Sequence, residues 1–310
     1  MSINKIVVVG SMNMDHVVNC QRLPRPGETI SGSRFDTYPG GKGANQAAAV
    51  GQLGGGPLFI GARGRDDTGS KLEAHLQEKG VKTELKLSES KTGTAHIFVT
   101  EDGENHIVII AGANADLTPG DIEARKNILE EAEVVLLQLE IPLDTVIKTA
   151  GLAAETGAEV LLDPAPARKL PEDLLENIDF LLPNSQELEQ LTEDGAVDLD
   201  DDLDRAESLQ ELGVDNILLT RGERGALLVG RRDVFEVKAQ EVEVVDTTAA
   251  GDAFAGAFAL GLAEGLSPQK ATELGTAYGS AAVSRPGAQS SLMSADEFSQ
   301  FAPEAGRLLP

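Results

Sequence analysis

The feature that most narrows what this 310-residue chain can fold into is a repeated rhythm of short apolar runs and helical patterns. Ile6 to Val9 is an unbroken β-branched run closed by Gly10, the pattern of a strand covered on both faces. Runs of the same kind recur at Val134–Leu139, Val160–Leu162, Phe180–Leu182, Asn216–Thr220 and Ala226–Val229. Between them the periodicity predicts helices over Ala44–Leu53, Gly69–Lys79, Pro119–Glu131, Leu143–Thr156, Asp202–Leu212, Ala250–Glu264 and Pro268–Val283. This alternation specifies an α/β fold: a mostly parallel sheet with helices on both faces. Right-handed crossovers then place the loops after the strands along one edge, where ligands bind.

Two stretches break the rhythm. Residues 14–38 and 92–112 alternate in polarity and carry turn residues, reading as antiparallel ribbon. Inserted into an α/β core, they form either a small lid over a site or edge strands of the main sheet. The acidic stretch 193–204 reads as a solvated approach to a helix, since it lacks the spacing of a calcium loop.

Composition excludes several functions. Asp and Glu number 51 against 26 Lys and Arg, for a formal charge of −25. Such a field repels phosphate backbones and anionic lipid, so neither nucleic acid nor a membrane surface is the expected partner. The surplus fits either a solvated acidic face or adaptation to high salt. One cysteine, Cys20, cannot form an intramolecular disulfide, and four scattered histidines argue against a zinc site. No apolar run is long enough for a secretory core or a spanning helix, so a cytoplasmic protein is expected.

Two glycine-containing segments carry the chemistry. Asp246-Thr247-Thr248-Ala249-Ala250-Gly251-Asp252 opens a helix of small residues. Its bare first-turn amides make an anion site, with the Asp252 carboxylate beside them. Alone, Asp252 could equally cap the helix. Gly40-Gly41-Lys42-Gly43-Ala44-Asn45 precedes another helix and permits close backbone approach to a ligand, or else forms a flexible helix entry. The Walker lysine motif, the dinucleotide fingerprint, the nucleophile elbow and the zincin motif are all absent.

Together the two segments resemble both signatures of the ribokinase-type (PfkB) carbohydrate kinase family. Gly10-Ser11-Met12-Asn13-Met14-Asp15, Ala111-Gly112-Ala113-Asn114, Leu137-Gln138-Leu139-Glu140, Asp163-Pro164-Ala165-Pro166, Pro183-Asn184-Ser185-Gln186-Glu187, Thr220-Arg221-Gly222 and the ending Arg285-Pro286-Gly287-Ala288-Gln289 follow in the family's order. The resemblance implies one kinase domain over residues 1–310, in a three-layer α/β/α ribokinase-like fold whose small antiparallel lid comes from about 14–38 and 92–112. It implies ATP-dependent phosphorylation of a sugar, D-ribose first, with fructose, 2-keto-3-deoxygluconate and adenosine as alternatives. A silent sugar-binding protein on the same fold is the competing class.

The resemblance also implies roles. Asp252 is the general base, and the amides of Ala249, Ala250, Gly251 and Asp252 form the anion hole. Asn13, Asp15, Gly41, Lys42, Asn45 and Glu140, with Asp252, hold the sugar. Asn184, Thr220, Gly222, Gly225 and Gly251 hold ATP, and Glu187 orders Mg²⁺ through water. Asp246, Thr248, Ala282, Arg285, Gly287 and Ser291 bind K⁺, mainly through backbone; the competing reading is an ion pair between Asp246 and Arg285. Gly275, where relatives carry a larger residue near the adenine, predicts a looser nucleotide site. A homodimer through the lid is the expected assembly.

Overall fold

The computed structural model describes residues 5–192 and 202–310. In chain order the strands are β1 (Ile6–Val9), β2 (Asn13–Cys20), β3 (Gly32–Gly40), β4 (Leu58–Gly64), β5 (Lys82–Ser88), β6 (Gly93–Thr100) and β7 (Asn105–Ile110). They continue with β8 (Val134–Leu137), β9 (Glu159–Leu162), β10 (Phe180–Leu181), β11 (Asn216–Thr220), β12 (Ala226–Val229) and β13 (Val234–Val237). Nine form the main sheet, in the order β13-β12-β11-β10-β9-β8-β1-β4-β5. Every pair from β11 to β5 is parallel, and only β12 and β13 turn back antiparallel at one edge.

Burial on both faces explains the unbroken apolar runs. Ile6 and Val8 of β1 point into one core and Val7 and Val9 into the other, and β8 repeats the division in register with Val134 and Leu136 against Val135 and Leu137. The first core is closed by helices Lys42–Gln52, Ala250–Ala263 and Pro268–Ala282, through Val50, Phe258 and Tyr278. Helix Leu143–Thr156 closes the second with Val146, Ala150 and Ala153. Each large apolar side chain sealed this way is worth roughly 1.5–3 kcal/mol. The result is the expected three-layer α/β/α arrangement. Among the described residues no helix is long and apolar enough to cross a membrane.

Residues from the two irregular stretches form a separate four-stranded sheet, ordered β3-β2-β6-β7. Each ribbon is antiparallel within itself, but β2 and β6 pair in parallel, Asn13 opposite Gly93 through Cys20 opposite Thr100. The sheet is therefore mixed rather than wholly antiparallel. The reason lies in the main sheet: β1 and β5 run the same way there, and each leads within a few residues into its lid strand, so β2 and β6 leave in a common direction.

Other departures are local. The single helix expected over Pro119–Glu131 is two, Pro119–Glu123 and Lys126–Leu129, broken where the Arg125 guanidinium donates to the Asp121 carbonyl at 2.8 Å. Three strands were not expected from the sequence: β4, whose short run Leu58-Phe59-Ile60 leads into Gly61 and Gly64; β5, a polar edge strand; and β13. Most of the acidic stretch 193–204 lies outside the described residues, and a helix starts at Asp202.

The site is positioned by how closely two helices approach. A Cβ on Gly256 would stand 2.7 Å from the Ala49 Cβ and 2.8 Å from the Gln46 carbonyl oxygen, so helix Ala250–Ala263 lies directly on helix Lys42–Gln52. Gly256→Val is expected to lower stability by about 1–3 kcal/mol, read as a fall in melting temperature. An unchanged melt would show that the two helices are not held at this spacing.

Candidate active site

The loops following the carboxyl ends of β1, β8, β9, β10 and β11 meet the first turns of helices Lys42–Gln52 and Ala250–Ala263. Gly41 has φ +88°, and its Cβ would lie 2.7 Å from both Asn13 N and Met12 Cα; a Cβ on Gly43 would lie 2.8 Å from Ser11 N. Only glycine allows this contact. The helix tip is thereby pressed against the loop after β1, and the Ala44 amide donates to the Ser11 carbonyl at 2.9 Å.

Asn45 and Gln46 of that first turn reach across to Asp252, which is 5% exposed. The Asn45 side-chain amide donates to Asp252 Oδ2 at 2.9 Å and the Gln46 amide to Asp252 Oδ1 at 3.1 Å. Asp252 therefore does not cap its own helix: no side chain does, and Ala249 enters it at φ 58°, the one non-glycine residue with positive φ among those described. A left-handed alanine costs about 1 kcal/mol, strain of the sort that clusters at functional sites. The Ala250 amide donates to the Thr247 carbonyl at 3.3 Å, so the open positive end of the helix rests chiefly on Gly251 and Asp252.

Carboxylates crowd the floor. The Lys42 ammonium lies 3.2 Å from Asp163 and 3.9 Å from Asp252. Burial works against its charge, but Asp163, Asp252, Glu187 and Glu140 outweigh that and hold its pKa above the ordinary lysine value. Burial drives Asp252 up to about 6; Lys42 opposes the rise, Asp163 adds to it, and Asn45 and Gln46 oppose it. Asp15 is pushed up to about 7 by burial and by its neighbours Glu140 and Asp252. Glu140 accepts from Ser11 Oγ at 2.5 Å and from the Lys42 backbone amide at 3.1 Å. Asn13 is buried and its Oδ1 accepts from the Asn114 side chain at 2.8 Å. Asn13, Asp15, Gly41, Lys42, Asn45, Glu140 and Asp252 are thus assembled around the helix tip.

Beyond Gly251 opens a cavity of about 800 Å³. Asn184, Thr220, Gly222, Gly225, Ala250 and Gly251 line it, with Val242, Val244, Phe254 and Val283 as apolar wall. Residues 241–245 form a loop along this cavity. Gly275 does not face it. Its Cβ would meet the Phe254 carbonyl at 3.0 Å, so this glycine lets two helices pack, and Thr276 and Gly279 line the cavity instead. The expectation of a looser nucleotide site from Gly275 therefore falls.

The pfkB family carbohydrate kinase model matches residues 3–295. The chain belongs to the pfkB family of carbohydrate kinases. It is 35% identical to the ribokinase of Haemophilus influenzae, over 96% of this chain and 97% of that one. It is 36% identical to the deoxyribokinase of Salmonella typhi, over 96% and 98%. The crystal structure of ribokinase from Thermotoga maritima superposes with a TM-score of 0.90 at 38% identity, covering 96% of this chain and 99% of that one. The chain is thus a ribokinase-type enzyme of ATP-dependent sugar phosphorylation.

Of the remaining residues expected from the sequence, Asn184 lines the cavity, whereas Glu187, Asp246, Thr248, Ala282, Arg285, Gly287 and Ser291 do not. Glu187 and Asn184 cap helix Ser185–Thr192 reciprocally, each backbone amide donating to the other's side chain at 2.8 Å. Burial and Asp163 raise the Glu187 pKa, against Asn184 and Lys42. Asp246 accepts from the Thr248 amide at 2.9 Å and the Gly287 amide at 2.8 Å; Arg285 pairs with Glu297 at 3.1 Å and not with Asp246. Ala282 and Arg285 share a turn hydrogen bond, and the buried Ser291 hydroxyl donates to the Ala288 carbonyl. Sequence reasoning missed Gln46, Gln138, Asp163 and Gln289 as members of the site. Motif position held the only signal for them, because a lone polar residue on a helix, as at Gln46, or in a loop, as at Gln138, Asp163 and Gln289, otherwise reads as surface.

A Cβ on Gly251 would meet nothing within 4 Å. Gly251→Val should therefore leave the melting temperature near that of the parent, while its side chain enters the phosphate path and lowers kcat/KM for ATP by about 10²-fold. Unimpaired turnover with ATP would remove this helix end from the site.

Proposed function

We propose that this kinase transfers the γ-phosphoryl group of ATP to the 5-hydroxyl of D-ribose, giving ribose 5-phosphate and ADP. The observation that carries the reading is the place of Asp252. It sits at the buried junction between the 800 Å³ cavity, within the usual range of ligand sites, and the carboxylate- and amide-lined floor. Asn13, Asp15, Asn45 and Glu140 offer that floor's acceptors and donors to vicinal hydroxyls. Asp252 takes the proton of the 5-hydroxyl as its oxygen attacks the γ-phosphorus. The open amides of Gly251 and Asp252 face the charge that builds on the transferred group. Adenine and ribose of the nucleotide lie along Val242, Val244 and Phe254, with Asn184, Thr220, Gly222 and Gly225 opposite.

Two ions fit the residues present. Mg²⁺ keeps several waters and takes one or two carboxylates beside phosphate oxygens, a demand that Glu187 can meet. Glu187, whose charge is disfavoured by burial and by Asp163, would face that hydration shell. Bound Mg²⁺ would neutralise phosphate charge. Burial raises the Asp246 pKa, but its Thr248 and Gly287 donors hold it below the usual carboxylate range. We assign a monovalent cation to the loops that carry Asp246, Thr248, Ala282, Arg285, Gly287 and Ser291, where Asp246, held ionised by the Thr248 and Gly287 amides, supplies the negative charge. Bound K⁺ would steady the neighbouring anion hole. We place the enzyme in the cytoplasm.

A second reading, 2-deoxy-D-ribose, rests on the similarity to a deoxyribokinase. ADP release should be measured with D-ribose, 2-deoxy-D-ribose, D-fructose, 2-keto-3-deoxygluconate and adenosine side by side. Ribose is expected to give the highest kcat/KM. A preference for the deoxy sugar would select the second reading, and no turnover with any would favour a silent binding protein. Asp252→Asn should lose about 10²–10⁴-fold in kcat with sugar binding kept. Because Asp252 must be ionised, kcat/KM should fall as pH drops below about 6. Replacing K⁺ by Na⁺ should lower kcat; equal rates would remove the cation loop.

Assembly follows from the lid. Its edge strand β7 exposes Ile107, Val108, Ile109 and Ile110, and Phe35 lies open on β3. An apolar, unpaired edge of this kind needs a cover, and we assign it to a second lid in a homodimer. Sedimentation of the parent as a dimer and of Ile109→Asp as a monomer would support this; a monomeric parent would overturn it.

A further inference from the structure

We propose that Gln46 is a positioning residue for the phosphoryl-transfer step: one buried side-chain amide, oriented from behind by Gln138, that ties the carboxylate of Asp252 to that of Asp163. The inference rests on the reading of Asp252 as base and names the device that holds it. Gln46 Nε2 carries two hydrogens and donates to Asp252 Oδ1 at 3.1 Å and to Asp163 Oδ2 at 2.7 Å. Its own Oε1 accepts from Gln138 Nε2 at 2.5 Å. A flipped Gln46 amide would present oxygen to two carboxylates and a donor to a donor, so Gln138 fixes which end faces the base.

Both glutamines are fully buried, and Asp163 is 6% exposed. Gln138 Oε1 has no hydrogen-bond partner, a desolvation penalty carried directly behind the site. Room for it exists only because residue 10 lacks a side chain: a Cβ on Gly10 would lie 1.9 Å from that oxygen. A buried amide pair with one group unsatisfied is a poor core filling and a good fixture. The other oxygen of Asp252 is held in the same way. Asn45 donates to Oδ2, and Asn45 Oδ1 accepts from Gln289 Nε2 at 3.0 Å. The base is thus held by two neutral amides, each oriented by a glutamine from another part of the chain.

Neutral donors hold a carboxylate in place without suppressing its basicity as strongly as a paired cation would. The cation present, Lys42, is shared with Asp163, which moderates its pull on Asp252. The charged groups facing Asp252 are Lys42 from the helix tip, Asp163 after β9, and Asp15 of the lid. Glu140 and Glu187 act on it through Lys42 and Asp15. Within this set Gln46 favours the ionised base, whereas Asp163 disfavours it.

The test is the pH profile of kcat/KM for the sugar, measured on Gln46→Leu, Gln138→Leu and Asp163→Asn beside the parent. The two leucine variants should move the acid limb to higher pH and lower kcat by about 10-fold, with KM for ATP within about 2-fold. Asp163→Asn should move the acid limb the opposite way, to lower pH. A purely structural role would lower yield and melting temperature without these opposed shifts. If one leucine variant fails to fold, the other decides: an acid limb that stays in place or falls overturns the proposal. Asp252→Asn separates the two readings. An active Asp252→Asn would sink the base itself, whereas an inactive one with unmoved acid limbs in the other variants would sink only the role of Gln46.

Discussion

The site depends on a backbone contact with no side chain in between: the first turn of helix Lys42–Gln52 against the loop that follows β1. At Gly41 and Gly43 the two segments come within the reach of a single methyl group. That proximity sets where Lys42, Asn45 and Gln46 project, and these three side chains define the surroundings of Asp252. On the opposite side, Gly256 lets the helix that carries Asp252 settle onto the same helix. Three segments distant in sequence are thereby held to hydrogen-bonding distances by missing side chains. Sub-ångström placement of reacting groups demands this kind of support.

Electrostatics gives the arrangement its direction. Asp163, Asp252, Glu187 and Glu140 act on one ammonium, and Asp15 lies near Glu140 and Asp252, so the floor carries more negative charge than Lys42 balances; burial first, and like-charged neighbours after it, raise the pKa values of Asp15 and Asp252. A group whose folded pKa exceeds its unfolded value favours the fold while protonated. That contribution fades as pH rises from the ordinary carboxylate range toward about 7 for Asp15. Hydroxyl donors relieve the surplus without introducing a competing cation. A polyol suits such a floor better than a phosphorylated sugar would.

The strand-helix alternation and the two glycine segments were legible because each has a local cause. Continuous β-branched runs need two covered faces, and bare amides need small residues. Helix Leu143–Thr156 and strands β11 and β12 match their sequence patterns to the residue. What escaped reading depends on distant partners. β5 is polar because it is an edge, the parallel pairing of β2 with β6 is inherited from the main sheet, and Gln46 acquires its meaning only from Gln138 and Asp163. The residues along the 800 Å³ cavity were anticipated at Gly222, Gly225, Gly251, Asn184 and Thr220. Its apolar wall at Val242 and Val244 was not, since an irregular loop has no period to detect.

The attachment of the small sheet has a mechanical consequence. The chain joins the small sheet to the main body at four places, residues 10–12, 41, 89–92 and 111, and β2 and β6 are hydrogen-bonded to each other from Asn13 onward. With β2 and β6 paired along their whole length, the two ribbons are joined into one panel and cannot swing independently. Asn13 lies at the root of that panel and Asp15 two residues out, so a displacement of the panel against the main sheet carries Asp15 farther than Asn13.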